Sequence, residues 1–228
     1  MMRSPNLYTY AFCKNLNFPV SLPKGNLAPL VIIKGNQISA VVELDISLES
    51  SQNNDEQIIK MVLNHDRVIC ELSHQMTVLP LRFGTYFHSQ AALLNHIETH
   101  TPEYEQKLNK IQGKHEYTLK LIPQKIAEMA MPVAASGRDY FMAKKQHYEY
   151  QKSFINAQNE EKTHLINLIT VALPSDVIIQ QHTEEVRLHI LVDDHEQALL
   201  KQQVVNWQAQ CPHWQFILGE PLPPYHFV

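Results

Sequence analysis

The sequence predicts an α+β protein of two domains, and three observations support that class. Short runs rich in β-branched and aromatic residues alternate with helical periodicities along the chain. Gly113 punctuates this pattern near the midpoint. After Gly113 the elements follow in the order β-α-β-β-α-β, that of a ferredoxin-like sandwich. Residues 1–113 are expected to form a modified ferredoxin-like α/β domain with a helical extension. Residues 114–228 are expected to form the ferredoxin-like domain, with a long helix and a proline-rich tail. The 228 residues are enough for two such cores.

In the first half, Leu7–Cys13 reads as a strand with Tyr8, Tyr10 and Phe12 on one face. A loop bearing proline and glycine, Pro19 to Pro29, follows. Leu30–Ile33 and Ile38–Leu44 form a hairpin about Lys34-Gly35-Asn36-Gln37. The polar stretch Ser47–Asn54 ends that unit. Asn53 is a good N-cap with Glu56 three residues later, so a helix starts there. Its apolar stripe is Ile58, Val62, Ile69 and Leu72. His65 falls on the same stripe, where a histidine with satisfied ring nitrogens is the ordinary expectation. Val78–Thr85 reads as a strand with an edge or a bend, because Pro80 and Gly84 interrupt it. Two helical segments follow, about 88–99 and 102–112, with Pro102 in the first turn of the second. Gly113 closes them.

In the second half, Tyr117, Leu119 and Leu121 alternate with polar neighbours in a strand over 114–122. A helix from Gly137 to Leu173 places Phe141, Tyr148, Ile155, Ile166 and Ile169 near one stripe, and Pro174 stops it. Strands at 176–182 and 186–193 are joined by Thr183-Glu184-Glu185. A helix over 194–210 buries Leu200, Val204 and Trp207, and Trp214–Leu218 is the last strand.

Composition excludes several classes. Hydrophobic residues at 44% against 18% charged are a globular balance, not that of a disordered chain. No apolar run approaches the roughly 20 residues that span a bilayer. The opening Met1-Met2-Arg3-Ser4-Pro5 lacks the apolar stretch of a signal peptide, so a soluble cytoplasmic protein is expected. Cys13, Cys70 and Cys211 are widely separated, which supports reduced, buried thiols rather than a disulfide framework or a CxxC zinc site. The net charge of −4 is unevenly spread, with +4 over residues 1–42 and −5 over the last 53. No basic block is dense enough to follow a phosphate backbone, so no nucleic-acid partner is expected. Val186–Val192 also lacks the exposed aromatics and basic glycine-aromatic motif of an RNA-binding sheet.

Catalytic signatures are missing from the sequence: there is no phosphate loop, GxGxxG, GxSxG or HExxH. His96 and His100 share a helix face at a spacing of four, without a third ligand at a readable offset. Asp193-Asp194-His195-Glu196 is rich in ligand atoms but sits where a helix begins, and acids there complement the helix dipole. Neither cofactor nor metal is expected. Two motifs remain. Arg82, in Leu79-Pro80-Leu81-Arg82-Phe83-Gly84-Thr85, needs carboxylates or carbonyls if its face is buried, or else it meets a partner. The tail Pro221-Leu222-Pro223-Pro224-Tyr225-His226-Phe227-Val228 is stiffened by prolines and carries aromatics, so it docks on its own domain or on a partner.

These motifs resemble those of the gas vesicle protein F/L family. The likeness lies in Val78–Thr85, in Ser136-Gly137-Arg138-Asp139-Tyr140, in Pro223-Pro224-Tyr225-His226-Phe227, and in the opening strand Leu7-Tyr8-Thr9-Tyr10-Ala11. The chain departs from it at Leu222, where the family often has tryptophan, at Glu220, where glycine is common, and at His226, where serine is usual. The resemblance implies two α/β domains of ferredoxin-like character and a non-enzymatic accessory role in gas vesicle formation. It implies association with the small hydrophobic shell subunit and with other accessory proteins, and no membrane partner. The expected location is the gas vesicle, with the protein soluble in the cytoplasm before assembly. Arg82, Pro223, Pro224 and Tyr225 are the expected partner-contact or domain-interface residues. Two readings compete. One is a cryptic metal-dependent enzyme, suggested by 13 histidines. The other is a small-molecule-sensing regulatory domain, suggested by fold analogy.

Overall fold

The computed structural model describes residues 6–44, 55–126, 137–173, 176–182 and 185–228. It divides into two compact units, Met1–Glu116 together with Leu222–Val228, and Tyr117–Pro221. Of the sequence expectations, Ser47–Asn54 with its N-cap Asn53, Ser136, Pro174, Thr183 and Glu184 lie outside the described residues.

The first unit is built on strands β1 (Leu7–Lys14), β2 (Leu30–Lys34), β3 (Ile38–Leu44), β4 (Leu79–Pro80) and β5 (Tyr86–Phe87). The sheet order is β2-β3-β1-β4, with β5 also pairing β1. The pairs β2–β3, β3–β1, β1–β4 and β1–β5 are all antiparallel. Helices α1 (Asp55–Ser73) and α2 (Gln90–Ile111) both pack on this sheet.

A bulge in β1 decides which residues meet which helix. Thr9 pairs Val42 but Ala11 pairs Val41, so Tyr10 is an extra residue on its strand. Such an insertion reverses the facing of everything beyond it. Tyr8, Tyr10, Ala11 and Cys13 therefore share a core with Met61, Val68, Ile69 and Leu72 of α1. Phe12 instead packs on His96 and Tyr104 of α2. The expected single face of Tyr8, Tyr10 and Phe12 is thus split between two layers.

The helices differ from expectation in two further ways. On α1, Met61 and Val68 are buried, while Val62 is 39% exposed. On α2 there is one continuous helix where two segments were expected, and Pro102 lies inside it. Proline has no N–H for the preceding turn. Just before it, Thr99 Oγ1, His100 Nδ1 and Thr101 Oγ1 donate to the carbonyls of Asn95, His96 and Ile97 at 2.8 Å. Gly113, at φ +69°, follows the helix as expected.

The second unit carries β6 (Lys114–Pro123), α3 (Gly137–Ala172), β7 (Val177–Gln181), β8 (Val186–Asp193), α4 (Gln197–Gln210) and β9 (Trp214–Leu218). Its sheet order is β7-β8-β6-β9. Tyr117, Leu119 and Leu121 alternate into its core, as do Val186, Leu188, Ile190 and Val192. Leu200, Val204 and Trp207 of α4 cover them, together with Leu165 and Ile169 of α3. Trp214 Nε1 donates to the Gln158 carbonyl at 2.8 Å, so its buried indole has a partner.

The long helix departs from its predicted stripe. Phe141, Tyr148 and Ile155 are exposed, and only Leu165 and Ile169 are buried. An apolar repeat of seven drifts by about 20° per heptad around a straight helix. At about 100° per residue, Phe141 and Tyr148 fall about 100° and 80° from the mean direction of Leu165 and Ile169, while Ile155 lies nearer that line but on an earlier turn than the two buried residues.

The tail also differs from expectation. Leu222–Val228 belongs to the first unit, whereas the sequence places it with 114–228. The reason is local pairing: Glu116 and Leu222 exchange both backbone hydrogen bonds at 2.9 Å.

Candidate functional site

Arg82 lies in a turn that two short strands hold out from the sheet. Leu79 and Pro80 pair with Phe12 and Ala11, and Tyr86 and Phe87 pair with Tyr8 and Leu7. Between them, Leu81 N–H donates to the Tyr10 carbonyl at 3.0 Å, and Thr9 N–H to that of Thr85 at 2.8 Å. Thr85 closes the turn through its N–H and its hydroxyl, both donating to the Arg82 carbonyl. Gly84 occupies the third position at φ +85°, a conformation that favours glycine. The run expected as one interrupted strand is therefore a strand, a tight turn and a strand.

His65 fastens this turn to the core. Its Nε2–H donates to the Leu81 carbonyl at 3.0 Å, leaving Nδ1 to accept from the Tyr8 hydroxyl at 2.8 Å. The ring stacks on Tyr10 and meets the edge of Phe83. His65 is thus a satisfied core histidine, as the sequence led one to expect.

Burial holds the His65 ring below the ordinary histidine range, against opposing effects of the Leu81 carbonyl and Asp66. The folded chain then binds fewer protons at this site than the unfolded chain. The associated stability is complete above about pH 6.5 and is lost as pH falls below it. The urea midpoint is expected to be lower at pH 5.5 than at pH 7.5, and His65→Gln should shrink that difference. An undiminished difference in the variant would assign the acid sensitivity elsewhere, for instance to His96, which burial and His100 also lower.

The turn borders a cleft of about 670 Å³ within the first unit. Arg82 and Thr85 line one side, His100, Tyr104 and Lys107 of α2 another, and Tyr225 of the tail a third. Arg82 is exposed, and its side chain has no hydrogen bond or ion pair among the described residues. Lys107, by contrast, pairs with Glu103 at 2.9 Å, which holds that carboxyl below its usual range. The condition under which Arg82 would need internal carboxylates is therefore not met.

The tail reaches the cleft by docking on its own unit. Pro223, Pro224 and Phe227 are buried, and Lys110 Nζ lies 5.4 Å from the Phe227 ring centre. His226 N–H donates to Glu116 Oε2 at 2.9 Å, and its Nδ1 lies 2.6 Å from Oε1. The Tyr225 hydroxyl donates to Asp66 at 2.5 Å, and its proton is held well above the ordinary range, mainly by burial. Two motifs far apart in sequence thus line one cleft through Arg82 and Tyr225, 143 positions apart. Pro223 and Pro224 are buried in the same tail and do not line the cleft.

The other candidates are accounted for locally. His96 Nε2 lies 2.7 Å from the Tyr104 hydroxyl, and the His96 and His100 rings are 4.3 Å apart. Asp194–Glu196 form a single 3-10 turn ahead of α4, in keeping with a helix-start reading.

One residue the sequence reading passed over organises the unit. Glu43 is fully buried, with Oε2 accepting from Tyr10 OH and Asn26 N–H and Oε1 from Leu27 and Ala28 N–H. A Cβ on Gly25 would come within 2.5 Å of the Ala28 carbonyl oxygen and collide with the Glu43 carboxylate. The available signal was a lone acid inside the apolar run Ile38–Leu44.

The gas vesicle synthesis protein GvpL/GvpF family model matches residues 6–228. The structure resembles that of the gas vesicle protein GvpF from Anabaena sp. PCC7120 at a TM-score of 0.69 and 14% identity, covering 98% of this chain and 96% of that one. It resembles GvpF from Microcystis aeruginosa at 0.67 and 16%, covering 97% and 98%. At these identities the likeness shows a shared mixed α+β fold. No curated protein sequence matches the chain. With the family model spanning nearly its whole length, the chain belongs to the gas vesicle synthesis protein GvpL/GvpF family, and its role lies in gas vesicle formation.

Proposed function

We propose that this chain is a non-enzymatic assembly or minor structural protein that binds the small hydrophobic shell subunit, and other accessory proteins, through the cleft bounded by Arg82 and Tyr225. The observation that carries this reading is the unpaired Arg82 guanidinium, presented on a tight turn beside the docked tail. An unmatched guanidinium carried on a fixed turn is suited to carboxylates or carbonyls of an incoming chain. A shell subunit with one dry face is prone to aggregate before assembly, and a soluble partner covering it would prevent that.

Both units are read as ferredoxin-like, the first in modified form. The β7-β8-β6-β9 order supports this for the second unit, with two helices inserted in the sequence β-α-β-β-α-β. The protein is read as cytoplasmic until it joins the vesicle, and as having no nucleic-acid or membrane partner. No helix among the described residues is long and apolar enough to cross a membrane.

Co-expression with the shell subunit, followed by affinity purification, tests the proposal. The parent chain should bring the subunit into the soluble fraction. Arg82→Ala should lower recovery by about tenfold, with Arg82→Lys in between. Recovery unchanged by Arg82→Ala would remove the cleft from the reading, and no association with any gas vesicle partner would remove the binding role.

A further inference from the structure

A second surface of the first unit lies along α1, apart from the residues that line the Arg82 cleft. Leu27 is 77% exposed, Leu63 66% and Ile59 59%, whereas the neighbouring Met61 is buried. Leu27, Met61 and Leu63 line a groove of about 660 Å³ between α1 and the loop before β2. Ile59 lies one turn from Leu63 on the same helix, so the aliphatic stripe continues past the groove. Isolated exposed leucines are ordinary, but adjacent ones around a concavity mark an interaction surface.

The groove is held open by rigid parts. Glu43 pins the backbone of Asn26, Leu27 and Ala28 from below. Asn64 Nδ2 donates to Asn26 Oδ1 at 3.0 Å, tying the loop to α1. Arg67 Nη2 donates to the Lys24 carbonyl at 2.6 Å. A surface ordered in advance loses little conformational entropy when it is covered.

Charge identifies the occupant. Lys60 and Arg67 line the groove, and no carboxylate does. Arg67 is partly satisfied by Glu71, but Lys60 is exposed and has no ion pair among the described residues. We propose that this groove takes an amphipathic helix of a partner protein whose aliphatic anchors are flanked by carboxylates. The stripe from Ile59 to Leu63 extends along a helix axis, which suits anchors at i, i+3 and i+4 better than a compact small molecule. Opposite charge on the rim sets orientation and speeds encounter.

The test uses the full chain and two fluorescent synthetic helical peptides with identical leucine spacing, one flanked by glutamates and one by lysines. Fluorescence anisotropy should show the glutamate peptide binding at least about tenfold more tightly. Leu63→Ser should weaken it by about tenfold or more, and Lys60→Glu should invert the preference between peptides. Both side chains are exposed, so the fold is retained, and circular dichroism checks this. Arg82→Ala should leave peptide binding unchanged, which separates this surface from the cleft. Equal binding of the two peptides, or indifference to Leu63→Ser, overturns the proposal. So does peptide binding lost through Arg82→Ala. Concentration-dependent dimerisation abolished by Leu63→Ser would assign the groove to a second copy of this chain and overturn it as well.

Discussion

Replacing Glu43 with alanine is expected to lower the stability of the first unit by about 4 kcal/mol. The carboxylate is fully buried and accepts from the Tyr10 hydroxyl and from the N–H groups of Asn26, Leu27 and Ala28. Its removal leaves a buried phenol and three backbone donors without their acceptor, and each such orphan costs on the order of 1–3 kcal/mol unless water reaches it. The loop donors can partly rehydrate, which keeps the sum below the simple total. Glu43→Gln retains one oxygen but turns an N–H₂ towards donors, so roughly half that loss is expected. Urea unfolding of the full chain gives the magnitude, and hydrogen exchange locates it. Protection should fall in β1, β3 and the loop before β2. A midpoint for Glu43→Ala equal to that of the parent would mean that the carboxylate does not hold the loop.

Deleting residues 222–228 should cost the first unit about 4 kcal/mol as well, while the second unit stays intact. Pro223, Pro224 and Phe227 are buried, and a buried large apolar side chain contributes about 1.5–3 kcal/mol. The deletion also removes the paired backbone bonds between Glu116 and Leu222 and exposes the Glu116 carboxylate. Hydrogen exchange should show α1 and α2 losing protection and β8 keeping it. Loss concentrated in β8 would place the tail with the second unit instead. Phe227→Ala provides a milder variant, with an expected loss of about 3 kcal/mol.

The elements legible in the sequence were those whose local chemistry agrees with their packing. Tyr117, Leu119 and Leu121 alternate in sequence and in the core, and Leu200, Val204 and Trp207 follow the helical period and are buried together. Gly113 was readable because a left-handed residue after a helix favours glycine. What escaped depended on long-range partners. The β1 bulge has no local signature, since Tyr10 is extra only with respect to Val41 and Val42 on another strand. Pro102 suggests a break from local propensity alone, whereas burial of Leu93 and Ile97 before it and of Tyr104 and Leu108 after it carries α2 through. Phe141, Tyr148 and Ile155 share a period of seven, but the helix follows 3.6, and only its later turns meet the core. At the cleft, Arg82 and the tail were each singled out from composition. That they meet could not be read, because Tyr225 reaches Asp66 across 159 residues of sequence.

The return of the tail to the first unit bears on the timing of folding. A chain is made from its N-terminus, so all of residues 117–221 are synthesised before Tyr225 exists. A nascent chain with only the first 116 residues lacks one wall of the Arg82 cleft and the partner strand segment of Glu116. Independent folding of each unit as it emerges, the usual order for two-domain chains, therefore leaves the first unit without Leu222–Val228 until the second has been made. Its binding surface is finished only after the second unit has been translated, so an interrupted product does not present a complete cleft to a partner.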